Sequence, residues 1–289
     1  MILSRMQGCG GQLPTIALSN FALALEDEPL QGLEFAVQHG FHGLEIGTNE
    51  LSPENMDSAG RRRIRSLAEA NGVALSIHFL HRDMAPASHD PVRRARHFYE
   101  LNQTLELALD VGAEVVVVHP GPIDCPGVDP TQATESMRQE SMKFLTQFLA
   151  DITPKAQNTG VVVTVENMHH VPGQVIQNYQ ELLGLVEPLN NPALQITLDM
   201  GHADRADGIT EAFEVFSPYL RHIHVHDSNG KRDHLEIGQG DLDFSRWSER
   251  LRAYPFIMVL ESRNNEDPEG NVLRSRELLT RSLGGSSRL

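Results

Sequence analysis

Short apolar runs and longer amphipathic stretches alternate eight times along this chain. The runs at 13–18, 43–46, 74–77, 114–118, 161–165, 194–198, 222–225 and 257–260 have the length of strands. Several, such as VVVV at 115–118, are apolar throughout, which suits a parallel strand covered on both faces. Between them, Ser52-Pro53-Glu54, Asp90-Pro91 and Asp129-Pro130 each put a capping side chain ahead of a proline at the first helical position. The helices so opened are expected to stop at Asn71-Gly72, Val111-Gly112 and Thr159-Gly160. Eight strand-then-helix units without a linker predict one domain across 1–289, closed as a single (β/α)8 barrel. Its ends, 1–12 and 284–289, read as flexible. An open doubly wound sheet is the competing arrangement. It would show a Gly-rich phosphate loop after an early strand, and the sequence has none.

Composition narrows the function classes. With 24 Lys and Arg against 39 Asp and Glu, the net charge is −15. Duplex nucleic acid is held mainly by cations on phosphates, so a chain this acidic is a poor general binder. Its densest basic run, Arg61-Arg62-Arg63 with Arg65, falls in a helical stretch and reads as a solvated face. No apolar run approaches the roughly 20 residues that span a bilayer, and the first residues lack the apolar core of a signal peptide, so a cytoplasmic protein without a membrane partner is expected. Two cysteines, Cys9 and Cys125, form neither a disulfide framework nor a thiolate zinc site and read as incidental thiols.

Candidate chemistry lies where the strands run out. His78, His119, Glu166, Asp199 with His202, His224 with Asp227, Asp233 with His234, and Glu261 each follow an apolar run. In a (β/α)8 barrel these positions converge on one face and ring one cavity. Imidazole and carboxylate together suit Zn²⁺, Mn²⁺, Co²⁺ or Fe²⁺. A carboxylate ending a strand such as VVVTVE is costly to bury unless it is paired or ligating. Glu166 and Glu261 could each bridge two ions. The competing role for His78 and His119 is to orient a carboxylate by hydrogen bonding, and His202 could simply cap a turn. On the strand ending IHVHD, His222, His224 and His226 share a face, the first deepest and the last nearest the rim. His169 and His170 read as loop residues. His39, His42, His81, His89 and His97 read as surface residues, and Gly238 and Gly240 as a tight turn.

Taken together, VVVVHPG, VENM, LDMGHA, IHVHD, DHLEIGQGDLDF and the final LES resemble the xylose isomerase-like TIM-barrel superfamily. That group holds sugar and sugar-phosphate isomerases and epimerases together with the endonuclease IV family, and the likeness runs from about Leu13 to Glu261. The resemblance implies one divalent metal on Glu166, Asp199, His224 and Glu261, with Glu166 and Glu261 also the proton-transferring pair. The endonuclease IV pattern adds His78, His119, His202 and His234 as ligands. It also expects an Asp two residues before the last of these, where this chain has Arg232, with Asp233 one place away. One to three ions, zinc or manganese, are therefore implied. Glu45, His226 and Arg263 are expected at the substrate; the alternative for Glu45 is pairing with a basic neighbour. Arg82, Lys231 and Arg232 are further loop cations. The expected activity is isomerisation or epimerisation of a small sugar, sugar phosphate or related polyol, in a chain that could form homo-oligomers. A multinuclear zinc phosphodiesterase or abasic-site endonuclease is the alternative, and a metal-binding barrel without turnover is a third class.

Overall fold

A computed structural model of the chain describes residues 15–49, 51, 53–80 and 82–284. The expectations for 1–12 and 285–289, for Cys9, Ser52 and His81, and for the first two residues of the first predicted strand lie outside these. Eight parallel strands close a barrel in sequence order. They are β1 (Thr15–Ser19), β2 (Gly43–Gly47), β3 (Ala74–His78), β4 (Val115–Val118), β5 (Val162–Glu166), β6 (Leu194–Asp199), β7 (Leu220–Val225) and β8 (Ile257–Leu260). Around them lie α1 (Pro29–Gln38), α2 (Ser58–Asn71), α3 (Pro91–Val111), α4 (Glu135–Thr159), α5 (Tyr179–Val186), α6 (Met200–Asp204), α7 (Ile209–Phe216), α8 (Ser248–Ala253) and α9 (Pro268–Ser282). No helix among the described residues is long and apolar enough to cross a membrane.

The two faces of the strands have opposite character. Outward positions are aliphatic and buried under the helices: Leu18, Leu44 and Ile46, Leu75 and Ile77, Val116, Val163 and Val165, Ile196 and Leu198, Ile223, and Met258 and Leu260. The alternate set starts apolar at the bottom of the barrel, where Ala17, Ala74, Ile257 and Val259 pack together. Elsewhere in the barrel interior the set turns polar, with Glu45, Ser76, Thr164, Thr197 and His222 on β2, β3, β5, β6 and β7 all buried. Such an interior is usually filled with branched aliphatics. Here polar groups satisfy one another instead, as where Thr197 Oγ1 donates to Thr164 Oγ1 at 2.7 Å.

Strands β3, β5 and β6 each run one residue further than their apolar runs predict. Pairing carries on through Gly47↔His78, Glu166↔Thr197 and Asp199↔His224, so the ionisable residues are held by the sheet itself. Of the three predicted helix starts, Asp90 is correct: it caps α3, accepting from the Val92 amide at 2.8 Å. The other two are corrected. Pro53 and Pro130 open only single 3₁₀ turns, and the helices begin at Ser58 and Glu135, capped by Asp57 and Thr134. Asp129 accepts from both the amide and hydroxyl of Thr131, which closes a local turn before the chain extends again at Ala133. The predicted stops hold, with Gly72, Gly112 and Gly160 at left-handed φ of 65°, 82° and 74°. His97 is also corrected. It is 2% exposed on the buried face of α3, its Nε2 accepting from the Ala85 amide at 3.2 Å.

Candidate active site

The barrel brings all eight sequence-predicted ligand candidates to one end. His224 Nδ1 lies 3.3 Å from Glu166 Oε1, 3.2 Å from Glu261 Oε2 and 3.8 Å from Asp199 Oδ2. On the other oxygen of Glu166, His119 Nε2 stands at 2.9 Å and His78 Nε2 at 3.3 Å. His202, on the first turn of α6, places Nδ1 3.3 Å from Glu166 Oε1. Its backbone amide donates to Asp199 Oδ1 at 2.6 Å, so the cap of α6 and a candidate ligand are one carboxylate. His234 meets His202 edge-on, the ring centroids 5.5 Å apart. It is held at a left-handed φ of 51°, a conformation that non-glycine residues seldom adopt away from functional sites.

Three of the imidazoles are anchored through Nδ1 to backbone carbonyls, and His202 Nδ1 is shared with Glu166. His78 Nδ1 pairs with the Phe79 carbonyl at 2.7 Å, His202 Nδ1 with that of Asn167 at 3.0 Å, and His234 Nδ1 with that of Glu261 at 3.0 Å. A neutral ring whose N–H goes to a carbonyl keeps a lone pair on its other nitrogen. Glu166 Oε2 is buried and accepts no well-aligned hydrogen bond, although two imidazole nitrogens face it. A buried oxygen faced by two imidazole nitrogens yet satisfied by neither is a place a cation would occupy.

Electrostatics give the same picture. Glu45, Glu166, Asp199 and Glu261 are buried, and among the described residues their ion-pair partners are all histidines. Burial would raise Glu45, Glu166 and Asp199, but the neighbouring imidazoles hold all three well below the usual carboxylate range. Burial would likewise lower the imidazoles. The carboxylates overturn this, pushing His78 up to about 9, His202 up to about 10 and His224 well above its ordinary value. For His119 and His234 burial wins and the rings are held down. Burial also wins at Glu261, which is pushed up despite His224. Protons on the rings balance the carboxylates in the protein alone. A divalent ion would supply the same charge and take the same lone pairs, so this donor set fits one.

Two of the three expected substrate residues lie elsewhere than the sequence suggested. Glu45 is fully buried one layer beneath the cavity, against His222 and His224. His226 is also fully buried. Its Nε2 is 2.8 Å from Asp199 Oδ2 and its Nδ1 accepts the His234 amide at 2.8 Å, so it braces a carboxylate. The reason is depth: alternation along a strand tells which way a side chain points but not how far down the barrel it sits. Gly201 lets this ring approach, since a Cβ there would stand 2.0 Å from His226 Cε1. Arg263 does reach the cavity, a space of about 260 Å³ that Phe21, Glu26 and Met168 also line. Its guanidinium lies 3.4 Å above the Phe21 ring centre.

Asp233, displaced by one position in the sequence, is clamped by His169 and by Arg205 Nη1 at 2.6 Å. Asp227 binds no candidate ligand. It accepts from the amides of Ser228, Gly238 and Leu242 at 2.8, 2.8 and 3.0 Å and so shapes the GQG turn. Sequence reasoning missed Asn167, which accepts from the Asp199 amide at 2.8 Å and donates to its carbonyl at 3.1 Å. Its place directly after Glu166 was the available signal. Phe21 and Glu26 had none, because the loop after β1 carries no His or acidic strand end.

Comparison with known proteins agrees with this geometry. The family model of xylose isomerase-like TIM barrels matches residues 33–282. The chain belongs to that family. An uncharacterised protein of Methanocaldococcus jannaschii is 30% identical over 264 residues, covering 88% of this chain and 85% of the relative. A probable endonuclease 4 of Mesomycoplasma hyopneumoniae is 28% identical over 144 residues, 45% of this chain and 48% of the relative. Among solved structures, a D-tagatose 3-epimerase-like protein superimposes with a TM-score of 0.79 at 26% identity, covering 93% and 97% of the two chains. An L-ribulose 3-epimerase gives 0.75 at 19%, covering 93% and 94%. An IolI protein described with a bound zinc atom gives 0.73 at 16%, covering 95% and 100%. Two of these three solved neighbours are described as a sugar epimerase or epimerase-like protein, while the endonuclease likeness spans about half the chain.

Proposed function

We propose that the chain is a divalent-metal-dependent isomerase or epimerase of a small sugar, sugar phosphate or related polyol, acting as one domain. The observation that carries this reading is the convergence of Glu166, Asp199 and Glu261 on His224 Nδ1 within 3.8 Å. These four would hold the ion, zinc or manganese by their donor chemistry. When bound, it supplies Lewis-acid polarisation of a substrate carbonyl and stabilises negative charge on neighbouring oxygens. Glu166 and Glu261 flank His224 from different strands, so each can reach a different face of a substrate held between them. One removes the proton α to the carbonyl and the other returns a proton to the opposite face. His226 and Asn167 keep Asp199 in place, and Arg263 on Phe21 offers donors to substrate oxygens at the rim. A cavity of about 260 Å³ suits a small ligand, being slightly below the usual roughly 300–1,000 Å³ of drug-sized pockets.

A second reading rests on His119 and His78 facing the outer oxygen of Glu166. They offer a place for a further ion, as an endonuclease IV-like phosphodiesterase would need. The net charge of −15 works against a nucleic-acid substrate. The test is to load the protein with Zn²⁺ or Mn²⁺, determine ions per chain, and follow solvent deuterium into C–H positions of a panel of ketoses. About one ion with deuterium uptake supports the isomerase. Two or more ions, no uptake and cleavage of an abasic-site duplex would replace it with the phosphodiesterase.

A further inference from the structure

We infer that Glu45 is a positioning residue for His224, accepting the proton on Nε2 so that Nδ1 is presented to Glu166, Asp199 and Glu261. The inference rests on the metal-dependent reading above and deepens it. Glu45 reaches across the barrel from β2 to β7, and its surroundings are dry: Glu45, Ser76, His222 and His224 are each 0% exposed. A carboxylate in such a place carries a desolvation penalty of several kcal/mol unless every oxygen is used. Ser76 Oγ donates to Oε2 at 2.9 Å, and His222 Nε2 stands 2.8 Å from the same oxygen. That leaves Oε1, 3.1 Å from His224 Nε2. The pair falls short of hydrogen-bond alignment, but both Glu45 Oε1 and His224 Nε2 are buried with no other polar partner among the described residues, so each has only the other to face.

Tautomer logic supplies the consequence. A neutral imidazole offers one lone pair, and the hydrogen bond at one nitrogen decides that the other carries it. Without an acceptor beneath it, His224 could place its proton on Nδ1, where Glu166 and Glu261 lie 3.3 and 3.2 Å away. The ring would then donate toward the carboxylates rather than offer them a shared ligand site. Register makes the arrangement stiff, because Glu45 is paired with Ser76 and His224 with Asp199 in the sheet.

The test is Glu45→Gln, which keeps the shape but removes the charge. Replacing the charged carboxylate behind a metal-bound imidazole by a weaker, neutral acceptor typically costs about 10–100-fold in metal affinity. Zn²⁺ affinity is measured by chelator competition, and the Co²⁺-loaded forms are compared by visible absorption. We expect E45Q to fold, bind Zn²⁺ about 10–100-fold more weakly and show an altered Co²⁺ band. A folded E45Q with wild-type affinity and an unchanged band would overturn the inference, even if its metal-free melting point fell, because that is the result of a purely structural carboxylate. A second measurement needs no variant: the long-range ¹H–¹⁵N spectrum of Zn²⁺-loaded wild type should show His224 protonated at Nε2 and ligating through Nδ1. The opposite assignment also overturns it. If wild type takes up no ion at all, the functional reading itself falls, which keeps the two failures apart.

Discussion

Gly201→Ala tests the geometry of the site without assuming any activity. Gly201 lies within α6, where alanine would ordinarily add about 1 kcal/mol of stability. The added Cβ would stand 2.0 Å from His226 Cε1 and 2.4 Å from Nδ1, against ordinary contact from 3.4 Å. The ring must therefore retreat by about 1.4 Å, the shortfall between those contact distances. It has nowhere to go cheaply, because His234 stacks on it with centroids 4.1 Å apart. Such a shift breaks the 2.8 Å contact to Asp199 and the 2.8 Å bond from the His234 amide. Overpacking costs about 1–3 kcal/mol and a lost hydrogen bond to a charged group about 1.5–3 kcal/mol. Less the helical gain, the net is a loss of about 2–5 kcal/mol. Thermal unfolding with chelator present reads it, at roughly 2–4 °C per kcal/mol for chains of comparable size. The sign decides the matter. A G201A variant as stable as wild type, or more so, would refute the packing of His226 described here.

Further expectations follow from other parts of the molecule. Glu261→Gln should abolish turnover while leaving the melting point within a few degrees of wild type; full activity in a steady-state assay would remove Glu261 from the site. Arg263→Ala should raise KM about tenfold with a smaller change in kcat, as expected for one charged hydrogen bond at the cavity rim, and an unchanged KM would dismiss the contact. Burial holds the His97 imidazole below its ordinary value of 6.5. Its contribution is therefore intact above about pH 6.5 and declines as pH falls below that, because the unfolded chain takes up the proton first. The difference in melting point between wild type and His97→Gln should shrink from pH 7.5 to pH 5. A constant difference would contradict the buried placement.

Much of the fold is legible in one dimension. Eight apolar runs separated by amphipathic stretches suffice for a parallel barrel, because only strands buried on both faces read that way. The helix starts at Ser58 and Glu135 were not legible, since a capping residue before proline opens any right-handed turn. Whether the turn propagates depends on what the following residues pack against. His97 was misjudged for a related reason: a polar residue on a long helix reveals its burial only once the loop carrying Ala85 lies over it.

The site divides along the same line. Sequence alone picked out the ionisable residues that the fold gathers at one end, because such a group ending an apolar strand points into the barrel by alternation and lies at its C-terminal end by direction. It ranked depth along a single strand, as for His222, His224 and His226, but not between strands. Glu45 and His226 share the inward orientation of Glu166 and Glu261, yet one lies a layer below the cavity and the other behind Asp199. Depth is set by the stagger between neighbouring strands, which exists only when the barrel closes. The same closure decided that Asp233 faces Arg205 and His169, and that His224 stands between Glu45 and three further carboxylates.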